Sequence, residues 1–244
     1  MKYTMLLFLF CCFISFGQKP PIEIKIDTIT SSDSIPDERI FTVNYHIENL
    51  TDSEISFFLN PNGMTPNARA SMSKNVNFKL FQNEELIDID DIFTTKASKL
   101  YEEGMRNAKT EDEKNAIMTK FFEDNLKINL DSINIEAEKH QFDENYDKQE
   151  KQKWFSESTI KLKPKEIKHY SHQLEWFKNR YFKIDAIEYY LDEKTPHYFE
   201  ISINLMKAEF KNQLTEEDFQ TIMNNKNFIK GWFTSNKVEI NFKE

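Results

Sequence analysis

Residues 41–61, FTVNYHIENLTDSEISFFLNP, decide the fold class. Phe41, Val43, Tyr45 and Ile47 alternate with Thr42, Asn44, His46 and Glu48, the period-two pattern of a strand with one buried and one wetted face. Residues 49–53 (NLTDS) supply the turn, and Ile55, Phe57 and Leu59 form the inward face of the next strand. Asn60-Pro61-Asn62-Gly63 then ends it with strong turn chemistry.

The alternation extends in both directions. Upstream, Ile22, Ile24 and Ile26 alternate with Glu23, Lys25 and Asp27, and residues 31–37 (SSDSIPD) read as a linker of turn formers. Downstream, Val76, Phe78 and Leu80 make a fourth strand, with a fifth expected within residues 86–93. Past Trp154, Ile160 and Leu162 lead to Pro164-Lys165, and Tyr170, His172, Leu174 and Trp176 share one face of a long strand. Residues 181–191 read as another strand. Phe199, Ile201, Ile203 and Leu205 mark the next, and Val238, Ile240 and Phe242 the last.

Between these two strand sets the period changes. From about Thr95, Ala97, Leu100, Tyr101, Gly104, Met105 and Ala108 fall on one face of a helix. Thr110 with Glu113 matches a capping box, and Ile117, Met118, Phe121 and Phe122 stripe a second helix. Residues 126–135 are ambiguous, and residues 136–155 read as a polar helix. Thr215 with Asp218 opens a short helix near 215–225, a weaker start because Asp reaches back less well than Glu.

Short strands separated by turns, without strand–helix alternation, predict a mainly β, antiparallel sandwich. Residues 41–61, then 77–82 (NFKLFQ), then 160–176 (IKLKPKEIKHYSHQLEW) share a layout with one known group. A strand ends in Asn plus a polar turn, a later strand follows, and a hydrophobic-Lys-Pro turn precedes a strand ending near Trp. This resembles bacterial Ig-like sandwiches, including the domain of BsuPI-type proteinase inhibitors. The resemblance implies an Ig-like β-sandwich, and the change of period over about 95–155 places an α-helical insertion between its strands. The expected organisation is a signal peptide at 1–17, sandwich at 18–94, insertion at 95–155, and the rest of the sandwich at 156–244. The helical block, the export signal and the lack of a recognisable inhibitory loop depart from that family.

Composition bounds the function. The chain is lean in apolar residues at 39%, but aromatics reach 14% with 22 Phe, enough area for a packed core. Disorder, collagen-like repeats and a disulfide scaffold are excluded. With 4 Gly, none spaced for it, there is no glycine-rich phosphate loop. A net charge of −9 disfavours nucleic acid and anionic membranes as partners.

The leader is the clearest functional signal. Lys2 precedes an apolar run from Met5 to Phe16, and Ser15 and Gly17 stand at −3 and −1 for cleavage before Gln18. Both cysteines, Cys11 and Cys12, fall inside that run, so the mature chain carries none and thiol chemistry is excluded. The expectation is an exported protein: periplasmic, outer-membrane-associated or extracellular, with no transmembrane span after cleavage.

Candidate chemistry is sparse. His46, His140, His169, His172 and His197 carry no ligand spacing, because His169 and His172 face opposite sides of a strand. His46 and His169 converge only if their strands pair, so packing is the favoured reading. Asp88, Asp90 and Asp91 read as a solvated strand end rather than a calcium loop. No Gly-x-Ser-x-Gly occurs. No catalytic residue, metal or cofactor is assigned.

Three Trp-Phe pairs, Trp154-Phe155, Trp176-Phe177 and Trp232-Phe233, are the candidate binding residues. Adjacent strand residues face opposite sides, so one ring of each pair can be exposed to a glycan or protein, although core filling explains them too. The functional expectation is a non-catalytic binding or envelope-assembly module. Its partner is another envelope or extracellular protein, with its surface on the insertion or adjacent loops. Glycan or small-ligand binding through the Trp-Phe pairs is the alternative, ahead of a protease inhibitor or an enzyme.

Overall fold

The computed structural model describes residues 19–35, 38–66, 74–87, 93, 96–126, 144–178, 181–184, 187–190 and 194–243. The expected leader with its cysteines, the Asp88–Asp91 run and His140 lie outside these residues.

In chain order the first strands are Ile22–Ile35 (β1), Glu38–Asn49 (β2), Ile55–Phe58 (β3), Asn60–Pro66 (β4), Asn75–Gln82 (β5) and Glu85–Ile87 (β6). Helices Lys96–Asn107 (α1), Glu111–Leu126 (α2) and Glu144–Ser158 (α3) follow. Then come Thr159–Leu162 (β7), Ile167–Phe177 (β8), Tyr181–Ile184 (β9), Ile187–Tyr190 (β10) and His197–Leu205 (β11). A 3-10 turn at Ala208–Gln213, the helix Glu216–Asn224 (α4), Gly231–Thr234 (β12) and Val238–Ile240 (β13) complete the order.

The chain is mainly β and sandwich-like. An antiparallel sheet β1-β2-β8 faces a sheet β12-β11-β5-β4, in which β13 also pairs β11 and β6 pairs β5. Among the described strands, pairing is antiparallel except between β4 and β5, and an isolated bridge joins Ser56 to Phe228 in parallel. The inward residues anticipated from alternation meet in one cluster. Ile22, Ile24, Ile26, Phe41, Val43, Tyr45 and Ile47 come from one sheet, and Val76, Phe78, Leu80, Phe199, Ile201 and Ile203 from the other. Aromatics fill one end: Phe242 lies 5.1 Å from both Phe41 and Trp176, and Phe93 lies 5.4 Å from Phe78. These rings offset the shortage of aliphatic residues.

The two halves of the sandwich layout are locked by one side chain. Asn49, fully buried, donates from Nδ2 to the carbonyls of Ser53 (2.8 Å), Leu162 (3.1 Å) and Lys163 (2.9 Å). Its Oδ1 accepts from the Thr51 amide at 2.9 Å and the Thr51 hydroxyl at 2.8 Å. The Asn-plus-polar-turn and the Leu-Lys-Pro turn are therefore one device, which joins the end of β2 to the β7–β8 connection.

Helix starts follow the capping chemistry. Thr110 Oγ1 accepts from Glu113 N, and Glu113 Oε2 accepts from Thr110 N, each at 3.2 Å. At α4, Thr215 Oγ1 accepts from Asp218 N at 3.1 Å. The shorter Asp218 carboxylate takes the Thr215 hydroxyl proton at 2.6 Å instead of reaching the backbone amide. α1 and α2 pack closely: a Cβ at Gly104 would stand 3.2 Å from Ile117 Cγ2. No helix of the described residues is long and apolar enough to cross a membrane.

Several local readings are corrected. The stretch read as a linker from residue 31 continues β1 to Ile35, because Ser31 and Ser32 pair with Phe41 and Ile40. Asp33 is held there by Arg39, whose Nε and Nη2 donate to its two carboxylate oxygens at 2.7 and 2.6 Å. That guanidinium, with Lys178 nearby, keeps the Asp33 carboxyl below its usual range. β3 ends at Phe58, before Asn60-Pro61-Asn62-Gly63, but this stretch also opens the irregular strand β4, which the alternation does not announce. Residues 181–191, read as one strand, contain the paired strands β9 and β10. The sequence does not announce β12, since four residues hold too few alternations to register.

Candidate functional site

The Trp-Phe pairs separate into three environments. Trp154 and Phe155 lie on α3, not on a strand, so the opposite-face argument does not apply to them. Both pack on Phe58, with centroids at 5.1 and 6.0 Å, in a second cluster containing Leu214, Ile222 and Phe228. The Lys74 ammonium stands 4.8 Å above the Trp154 ring and also donates to the buried Ser158 hydroxyl. Desolvation holds its pKa below the ordinary lysine value. A boundary at residue 155 therefore falls inside α3, which covers Phe58.

Trp176 is 2% exposed and packs on Phe242, with the Arg39 guanidinium 6.0 Å from its ring. Phe177 pairs its backbone with Glu38; its side chain lies outside the described residues. At the third pair, Phe233 joins the main core while Trp232 is 55% exposed. The alternation argument succeeds here because β12 is a strand: Phe233 stands opposite Ile203 and Trp232 opposite Asn204.

Trp232 borders a groove of about 430 Å³ between β12 and the start of β1. Pro20, Ile22, Glu23, Ile24 and Leu50 form one wall, and residues 232–236 the other. Both walls are strand edges. β1 pairs with β2 and β12 with β11, and among the described residues neither pairs with a further strand. Asn236 holds the backbone N–H and C=O of Ile26 at 2.8 and 3.2 Å, so these groups point away from β2. Strand alternation turns those of Ile24 the same way, toward the groove. Ser235 N donates to Ile201 O at 2.9 Å, which by the same parity turns the N–H and C=O of Trp232 and Thr234 outward. The groove thus offers a large ring beside two rows of main-chain donors and acceptors.

A second constellation lies on the wetted face of β1-β2-β8. His46 and His169 are register partners, with ring centroids 5.5 Å apart. Asp27 is the extra residue of a β1 bulge between Ile26 and Thr28. Its carboxylate lies 2.8 Å from His46 Nδ1 and 3.6 Å from His169 Nδ1. The sequence supplied both histidines at outward positions, but their convergence required the β2–β8 register, and Asp27 required the bulge. His172 points to the inner face beside Val43, where burial lowers its pKa.

A third feature is a buried polar row. Thr65, Asn77 and Ser202 are successive register partners across β4, β5 and β11. Asn77 and Ser202 are fully buried, and the buried side-chain N and O atoms of all three have no hydrogen-bond partner among the described residues. Compared with known proteins, the chain matches no family model, no curated protein and no solved structure.

Proposed function

We propose that the chain is an exported, non-catalytic binding module, an Ig-like sandwich with a helical insertion, whose working surface is the groove beside Trp232. The observation that carries this reading is the exposed Trp232 ring standing over two outward-turned strand edges. Aromatic rings at a rim supply contact area at low entropic cost, and open strand edges supply main-chain hydrogen bonds to an extended peptide. The partner is accordingly an extended segment of another envelope or extracellular protein. Asn49, with its ties to Ser53, Leu162 and Lys163, supports the Ig-like part of the reading.

The sequence-based expectation puts the working surface on the helical block or the loops beside it. In the described part of that block, α3 is committed to the Phe58 cluster, which leaves Trp232 as the better candidate.

A displayed-peptide library selected on the protein, with Trp232→Ala as counter-selection, tests the proposal. Enriched peptides that bind the protein and lose affinity with Trp232→Ala, at unchanged Tm, support it. Glycan binding lost with the same substitution transfers the site to the alternative ligand class. A folded protein that enriches nothing Trp232-dependent overturns the reading.

A further inference from the structure

We infer that Asp27, His46 and His169 form a binding site for a borderline divalent cation of the Zn2+ or Cu2+ type. One ligand atom from each residue lies within 4.8 Å of the others. Each ligand comes from a different strand of one hydrogen-bonded sheet, so the set is positioned by paired strands and not by loops.

The backbone explains the proximity. Asn49 N donates to Glu166 O at 3.0 Å, which makes that pair a hydrogen-bonded one. Counting along β2 and β8, His46–His169 is then a non-hydrogen-bonded pair, the kind that brings side chains closest. The β1 bulge adds Asp27 from the third strand, and its neighbour Ile26 is fixed from the far side by Asn236. Two imidazoles and one carboxylate suit Zn2+, Cu2+ or Ni2+ rather than Ca2+ or Mg2+, and leave positions for water or a further ligand.

A second observation points the same way. Glu23 and Glu48 stand directly opposite each other on this face, an arrangement that opposes strand pairing. One ligand atom from each also lies within 4.8 Å of a ring nitrogen of His46. Lys25, opposite His46, compensates part of this charge. A bound dication would compensate the rest and clamp the three strands. Its entry is open, since the His169 side chain is 72% exposed.

Titration calorimetry of chelator-stripped protein with ZnCl2, and separately with CuCl2, tests the site. The expected result is one equivalent bound with at least one of these ions and a higher Tm in its presence. His169→Ala and Asp27→Asn should each weaken binding at least about tenfold, the loss usual for even an outer-shell group. Both residues are solvent-accessible, so these variants should keep the metal-free Tm. Lys25→Ala should bind as tightly as the parent or tighter. The absence of saturable binding for both ions, or an affinity unchanged in both ligand variants, overturns the proposal.

Discussion

The side-chain amide of Asn236 grips both backbone groups of Ile26, accepting from its N–H at 2.8 Å and donating to its C=O at 3.2 Å. In effect a single residue stands in for a strand on the open edge of β1. It joins the two sheets beside the Trp232 groove and fixes the chain next to the Asp27 bulge. Asn236→Ala leaves two strand-edge groups without these partners and should cost about 1–3 kcal/mol in urea unfolding. It should also accelerate hydrogen exchange at the Ile26 amide more than at Val43. An unchanged exchange rate at Ile26 would show that the edge is held by other means.

Tyr45 and Tyr170 are register partners whose rings stack at 5.3 Å, yet their hydroxyls differ. Tyr45 Oη donates to the Pro61 carbonyl at 3.2 Å, while the buried Tyr170 Oη has no hydrogen-bond partner among the described residues. Burial raises the pKa of both phenols. Tyr45→Phe should therefore cost about 1 kcal/mol, and Tyr170→Phe should be neutral or stabilising. Equal losses from the two substitutions would contradict this division.

The buried row Asn77–Ser202 makes the same argument with the opposite design. Each residue carries a desolvated polar group that receives no hydrogen bond from the described residues in return. Ser202→Ala should be neutral or stabilising, and Asn77→Leu with Ser202→Ala should raise Tm. A fall in Tm for Ser202→Ala would mean that bound water or a ligand satisfies the hydroxyl.

What was legible in the sequence was what is local. Val43, Tyr45 and Ile47 declared their buried face by alternation, and Thr110 with Glu113 declared a helix start. Register is not local. Nothing in residues 22–27 announces the bulge that carries Asp27 to His46, and pairing β2 with β8 is a tertiary event. The turn formers of residues 31–37 read as a linker, yet residues 31–35 continue β1, where Arg39 on the next strand holds Asp33. The groove was half legible: Trp232 was a candidate, but its partner wall at Pro20 and Ile22 comes from the other end of the chain.

His172 gives the fold a pH dependence of known sign. Burial on the inner face beside Val43 holds its pKa below the unfolded value of 6.5. The unfolded chain therefore binds more protons in this window, and stability at this site is full above pH 6.5 and lost as pH falls below it. The stability difference between pH 7.5 and 5.5, measured in urea, should be smaller in His172→Gln than in the parent. An identical difference in both proteins would remove His172 as the cause.

Trp154 and Trp232 separate stability from binding most sharply. Trp154 is packed between Phe58 and Phe210, with centroids at 5.1 and 5.3 Å, beneath the Lys74 ammonium. Trp154→Ala removes this contact area and uncovers Phe58, and should destabilise by about 3 kcal/mol. Trp232 is more than half exposed, and Trp232→Ala should change stability by less than about 0.5 kcal/mol. If Trp232 is the rim of a binding groove, its substitution should abolish ligand binding at constant Tm. Trp154→Ala should instead weaken binding only in proportion to the unfolded fraction. Binding loss in the folded population of Trp154→Ala, with Trp232→Ala silent, would move the working surface to the helical block.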